Sequence, residues 1–294
     1  KQKEMQKLEL TPYHGQQLVD FEAPTNTKIV EKVSPGFYGV QFLDTFTGRK
    51  GYLISESTPM IPDNTYKLTD SYFKDMDKIG NFFDDITREI HSDLKVRHKM
   101  GILLSGTHGT GKTTACYELA SRFVKEMGTV VIAVNGKEDF HYTENFINRY
   151  HKDVDAEQTF IRIFDECDKT LEYQETAMKA MLDNHKSAEK VMTFFTTNYI
   201  QDIPAAIIER KSRIKFHYVI NGITDEVLLY ELLVDMNTAM SKEERKLTDT
   251  ELKQIVKDLI GDGKKGPTLD EVKHAYQDTV LEVNLTRARV KLDM

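Results

Sequence analysis

The sequence predicts an α/β protein: a mainly parallel sheet flanked by helices, with a small β domain ahead of it and a helical lid behind it. Three observations carry this. Short apolar strands alternate with helical stretches through the middle of the chain, which implies right-handed crossovers. A glycine-rich segment, residues 106–113, joins one of those strands to a helix. The last third is helical in pattern, with capping signals at two of its starts.

Residues 1–65 form the small β domain in this reading. Short runs at 17–21, 27–33, 37–43 and 51–55 are separated by Pro24, Pro35 and Gly36, and Thr47 and Gly48. The stretch 36–55 reads as a hairpin with 44–49 at its tip, and Pro59 and Pro62 mark a linker. Residues 66–222 are the α/β core. Tyr72, Met76, Ile79, Phe82, Phe83, Ile86 and Ile90 recur at helical spacing. Strands follow at 101–104, 130–134, 160–164, 191–195 and 214–219, and a helix is expected over 112–127, capped by Gly128. Residues 223–294 are the lid, with helices expected over 225–239, 248–260 and 268–283. The last two begin with capping boxes, Thr248 with Glu251 and Thr268 with Glu271.

Composition bounds the function. The chain has 294 residues, 39% apolar and 30% charged, enough for a packed core in more than one domain. No apolar run approaches the roughly 20 residues that cross a bilayer. Two distant cysteines, Cys116 and Cys167, and scattered histidines speak against a disulfide framework or a zinc site. A cytoplasmic, reducing setting is expected. The net charge of −7 argues against nucleic-acid binding by a broadly basic surface.

The chemistry begins at Gly106, Thr107, His108, Gly109, Thr110, Gly111, Lys112 and Thr113, which satisfy GxxxxGK[ST]. Glycines let the backbone curl so that its N–H groups face phosphates, and the following helix offers its positive end. Lys112 supplies a point charge for the β- and γ-phosphates, and the Thr113 hydroxyl suits Mg²⁺. A second apolar strand ends in Asp165 and Glu166. Asp165 is placed to hold Mg²⁺ and Glu166 to act as general base on the attacking water. Arg162 interrupts a strand expected to be apolar on both faces, and either pairs with a carboxylate or lies near a surface. A third strand ends in Thr196, Thr197 and Asn198, where Asn198 is either a γ-phosphate contact or a turn former. Arg210 and Arg213 precede the last strand; by type alone they are surface charges as readily as functional groups.

In this order the motifs resemble those of AAA+ ATPases, over about residues 68–294. The stretch from Met100 to Thr114 is similar to the family's GILLxGxxGTGKT segment, with Thr107 and His108 in place of its prolines. The resemblance identifies Gly106 to Thr114 as the nucleotide-binding loop, Asp165 and Glu166 as the Walker B pair, and Asn198 as sensor 1. It makes Arg213 first, and Arg210 second, an arginine finger that acts on a neighbouring subunit's nucleotide. It implies a P-loop NTPase fold, ATP and Mg²⁺, and a homo-oligomeric ring, usually a hexamer. Arg287 offers one alignment to a sensor 2. Phe140 and Tyr142 are candidates to line a pore, or equally to pack on the sheet.

Three functions stay open. The first is a ring ATPase that remodels or translocates a macromolecular client, protein ahead of nucleic acid. The second is a nucleic-acid-linked factor, clamp-loader-like or helicase-loader-like, suggested by the arginine segment and the basic run 95–99. The third is a non-hydrolysing switch, against which Glu166 argues.

Overall fold

The computed structural model describes residues 11–13, 16–20, 32–44, 50–57, 66–134, 137–183, 188–261 and 266–292. The tip 45–49, the 27–31 part of one expected strand and most of the proline linker lie outside them.

The chain opens with β1 (Thr11–Tyr13), β2 (Gln16–Asp20), β3 (Gly36–Asp44) and β4 (Lys50–Glu56). β3 and β4 form the expected antiparallel hairpin, with Val40 opposite Ile54. Three short helices follow, α1 (Tyr66–Tyr72), α2 (Met76–Gly80) and α3 (Asp85–Asp93), with a 3₁₀ turn at Asn81–Phe83. The core then alternates: β5 (Lys99–Gly106), α4 (Lys112–Met127), β6 (Val130–Val134), α5 (Lys137–Asp153), β7 (Phe160–Phe164), α6 (Cys167–Asp183), β8 (Val191–Thr197), α7 (Ala205–Ile208) and β9 (Phe216–Ile220). The lid is α8 (Glu226–Thr238), α9 (Asp249–Ile260) and α10 (Leu269–Leu292).

All the strands among the described residues join one sheet in the order β1-β2-β4-β3-β6-β7-β8-β5-β9. From β3 to β9 every neighbouring pair is parallel. The small β unit expected over residues 1–65 therefore meets a sheet that does not stop there. β3 adds to β6, Gly36 opposite Val130, and Val33, Tyr38 and Val40 are buried in the same apolar cluster as β6.

The central strands alternate their side chains between two layers. Leu103, Ile132, Phe160, Phe164 and Phe195 face α5 and α6, packing with Phe146, Tyr150 and Met178. Ile102, Leu104, Val131, Ile163 and Phe194 face the other way, onto Leu119 and Phe123 of α4 and onto Phe73 and Phe82. Burial on both faces explains why these strands read as continuous apolar runs. Arg162 shares the layer of Phe160 and Phe164. It is buried and pairs with Glu144 of α5, which supplies the partner that the sequence left open. A third cluster, around Leu229, Leu233, Ile255 and Val272, holds the lid together.

The helical pattern from Tyr72 to Ile90 is not one helix. The chain turns at Asn81–Phe83, and Asp84 adopts an extended backbone before α3 begins. The turn puts Phe82 and Phe83 in the core and leaves Ile86 and Ile90 in solvent. Elsewhere α4, β6 and β7 have the expected bounds. The first lid helix starts after Asp225, whose carboxylate caps Val227 N at 2.9 Å and Leu228 N at 3.1 Å. The last helix outruns its expected end, reaching Leu292.

Candidate functional site

β5 and α4 present the glycine loop at the carboxyl edge of the sheet, where open α/β sheets bind ligands. The loop needs its glycines for two different reasons. Gly106 has φ +149°, and a Cβ there would lie 1.9 Å from Ile220 O, so β9 could not pack beside it. Gly109 has φ +73°, and a Cβ there would lie 2.6 Å from Asp270 Oδ2 of the lid. Thr110 is buried, its hydroxyl bonded to Thr107 O at 3.0 Å and its carbonyl to the Tyr72 hydroxyl at 2.6 Å. These contacts hold the loop from inside and leave its outer face to the cleft.

Lys112, the first residue of α4, is 6% exposed. Its Nζ donates to Gly106 O at 2.9 Å, Thr107 O at 2.7 Å and Asn198 Oδ1 at 2.8 Å. Burial pulls its ammonium below the usual lysine range, while Asp165 and Glu166 nearby favour the charged form. The Asn198 side chain thus meets the loop lysine directly, more than a turn former would do.

Thr113 donates its hydroxyl to Asp165 Oδ1 at 2.6 Å, from the first turn of α4 to the residue after β7. A second hydroxyl reaches the same oxygen: Thr196 of β8 donates at 2.5 Å. Thr196 Oγ1 also accepts the Glu166 N–H at 3.0 Å. Glu166 itself has φ +48°, an uncommon backbone for a residue with a side chain and one that recurs at functional turns. Beside it, Thr197 donates to Asp168 Oδ1 at 2.8 Å.

These residues line one cleft of about 220 Å³, with Gly109, Gly111, Lys112, Thr113, Thr114, Asp165, Glu166, Thr196 and Asn198 on its walls. His108 stands at the rim, 3.2 Å from the Tyr199 hydroxyl. The donor set fits a magnesium nucleotide: hard oxygen ligands at Thr113 and Asp165, an ammonium and curled backbone for phosphates. Two cleft residues escaped the sequence reading. Thr196 looked like one polar residue among three, and only the β7–β8 register puts its hydroxyl beside Asp165. Asp270 lies far along the chain, and the folding of the lid alone brings it to Gly109.

Arg210 and Arg213 do not reach this cleft within the chain. Both bind Asp183 at the end of α6. Arg213 is buried, with Nε donating to Asp183 Oδ1 at 2.9 Å and Nη1 to Ala206 O at 2.5 Å. Arg210 reaches Asp183 Oδ2 at 2.6 Å with its side chain 61% exposed. Arg287 is a brace inside the lid, donating to Lys246 O at 2.9 Å and pairing with Glu251 at 3.2 Å. Tyr142 is partly buried against the sheet cluster, and the Phe140 side chain lies outside the described residues.

A parallel sheet with this loop at its edge defines a P-loop NTPase fold. Residues 102–221 match the family model described as "ATPase family associated with various cellular activities (AAA)". The α/β core of this chain belongs to the AAA+ ATPase superfamily. No curated protein sequence matches the chain. Among the described residues no helix is long and apolar enough to cross a membrane.

Proposed function

We propose that this chain is a ring-forming ATPase that couples ATP hydrolysis to remodelling of a macromolecular client, protein rather than nucleic acid. One observation carries the ATPase part: Lys112, Thr113, Asp165, Glu166 and Asn198 converge on a single cleft from the ends of two strands, β7 and β8, and the start of α4. Lys112 binds the β- and γ-phosphates, and Asn198 fixes that lysine and the terminal phosphate. Thr113 and Asp165 hold Mg²⁺, which when bound offsets the charge on the phosphate oxygens. Glu166 accepts a proton from the attacking water. Thr196 keeps Asp165 and the backbone of Glu166 in register.

Assembly is supported by a helix with no fully buried side chain. Ile86 and Ile90 stand along one side of α3 at 72% and 50% exposure, and Leu94, which caps its C-terminal end, is 67% exposed. A stripe of this kind marks an interaction surface more often than a bare face. Within a ring, Arg210 is the better candidate for a finger than Arg213, because Arg213 is enclosed by Asp183 and Ala206 and Arg210 is exposed. The β strands of residues 1–65 are the proposed client-recruiting part. The nucleic-acid alternative loses support at the run 95–99: Arg97 pairs with Glu189, His98 is buried, and burial pulls Lys99 down to about 8.

The test combines turnover with native mass. Wild type should hydrolyse ATP and gain mass in steps with a slowly hydrolysed analogue. Lys112→Ala should lose binding, and Glu166→Gln should bind but turn over 10²- to 10⁴-fold more slowly, about the span of general-base effects. A Glu166→Gln protein with full turnover would remove Glu166 from its role. A chain that stays monomeric with nucleotide would remove the ring.

A further inference from the structure

We propose that Asp270, carried into the phosphate cleft by the lid, lowers the affinity for a nucleoside triphosphate and makes triphosphate entry unseat α10 from the loop. This rests on the reading of the cleft as an ATP site and extends it to the lid.

Two independent contacts seat the lid on the loop. The Asp270 N–H, in the first turn of α10, donates to Gly109 O at 3.1 Å. Its carboxylate packs over Gly109, close enough that a Cβ there would touch it at 2.6 Å. The same carboxylate lines the cleft with Lys112, Asp165 and Glu166. Asp165 is answered by the hydroxyls of Thr113 and Thr196. No hydrogen bond reaches the Asp270 side chain among the described residues.

A triphosphate adds several negative charges to this space. Lys112 and a metal at Thr113 and Asp165 offset them on that side, whereas among the described residues no cation pairs with Asp270 to offset them there. Repulsion between the terminal phosphates and a carboxylate in the same cleft costs affinity as long as α10 stays docked. The fold offers a pivot for its release. Gly222, where the core runs into the lid, packs backbone to backbone on Gly266, just ahead of α10, and a Cβ on Gly222 would lie 1.5 Å from Gly266 O. Ile223 N donates to Pro267 O at 2.7 Å at the same point. The lid is thus tied to the core at a glycine pair and to the loop by Asp270. Because binding couplings are reciprocal, a lid that leaves when ATP enters is a lid that weakens ATP while docked.

The experiment measures Mg-ATP and Mg-ADP affinity by calorimetry, and amide exchange over residues 266–275, on the full chain. Asp270→Asn keeps the main-chain donor and the shape while removing the charge, and Asp270→Ala serves as the second variant. Both should bind ATP on the order of five- to tenfold more tightly, with a smaller gain for ADP. In wild type, ATP should speed exchange at the first turn of α10; in the variants it should not. Unchanged or weaker ATP binding by both variants, or ATP protecting α10 in wild type, overturns the inference. The underlying reading fails separately: wild type would then not bind ATP, or Lys112→Ala would bind it as well as wild type.

Discussion

Thr196 donates its hydroxyl to Asp165 Oδ1 at 2.5 Å while accepting the Glu166 N–H at 3.0 Å. One side chain on β8 therefore fixes both acids at the end of β7. The parallel register makes this contact, since Phe164 lies opposite Phe195 and the next residues of the two strands meet at the sheet edge. The two carboxylates then have different surroundings. Asp165 is held by two hydroxyls, and Glu166 is aimed by its backbone.

Thr196→Val removes the hydroxyl at constant shape. Asp165 keeps only the Thr113 bond, and the Glu166 N–H loses its acceptor. Turnover should fall about ten- to hundredfold, the usual cost of losing a partner that orients a metal ligand. The Mg²⁺ concentration for half-maximal rate should rise. Equal Mg²⁺ dependence in the two proteins would mean that Thr196 merely fills space.

The two arginines before β9 should separate by what they disturb. Arg213 is 8% exposed at its side chain and bonded twice to Asp183, whose carboxyl is held below the ordinary range first by the Arg213 hydrogen bond. Arg213→Ala leaves Asp183 at the α6 end without its main partner and should cost about 3 kcal/mol of stability in urea unfolding. Arg210→Ala should change stability by no more than about 0.5 kcal/mol. It should nevertheless lower ATP turnover if Arg210 serves a neighbouring site. Full turnover by Arg210→Ala at concentrations where the protein assembles would exclude that role.

The legible parts of this fold were those written locally. A continuous apolar run bounded by glycine or a polar pair fixed β6, β7 and the start of β8, and Gly111 and Gly128, at φ +85° and +65°, bracket α4. The loop residues were legible because the chemistry demands them at fixed spacing. What stayed hidden depends on distant pairing. The hairpin of β3 and β4 was readable, its addition to β6 was not, because alternation reports which face is buried and not which strand lies alongside. Arg162 looked anomalous until α5 brought Glu144 to it. One alignment puts Arg287 at the phosphate site, but α10 meets the loop with its first turn, at Asp270, and carries Arg287 away to Glu251. The break at Asn81–Phe83 escaped because residues on both sides of it keep a helical spacing by chance.

The α3 stripe gives a surface prediction. Ile86→Asp with Ile90→Asp changes two exposed residues on a helix with no buried side chain. The melting temperature should move little. If the stripe covers a neighbouring copy, the double variant should stay monomeric with a slowly hydrolysed ATP analogue while still binding it. Assembly equal to wild type by native mass would place the interface elsewhere.

His98 predicts how stability responds to acid. It is 3% exposed, stacked on Phe82 with ring centroids 4.3 Å apart, and its Nε2 lies 2.6 Å from Phe82 O. Its Nδ1 has no hydrogen-bond partner. A proton added there would be a buried donor with no acceptor. Burial holds the ring below the ordinary histidine range, against the opposing pull of the Phe82 carbonyl, and His91 and Arg88 push the same way as burial. His151 and His217 are also lowered, in each case first by burial. For all three the folded pKa lies under the unfolded value of about 6.5. The unfolded chain therefore takes up protons first as the pH falls. The stabilisation is fully present above about pH 6.5 and is lost as the pH drops toward the folded values, at no more than about 1.4 kcal/mol per pH unit for each proton. Unfolding in urea should show a declining free energy from about pH 6.5 to 5, before carboxylates near their ordinary range begin to titrate. His98→Gln keeps a donor for Phe82 O and cannot titrate, so its decline should be shallower than that of wild type. Parallel curves for the two proteins would show that His98 is not protonated on unfolding in this range.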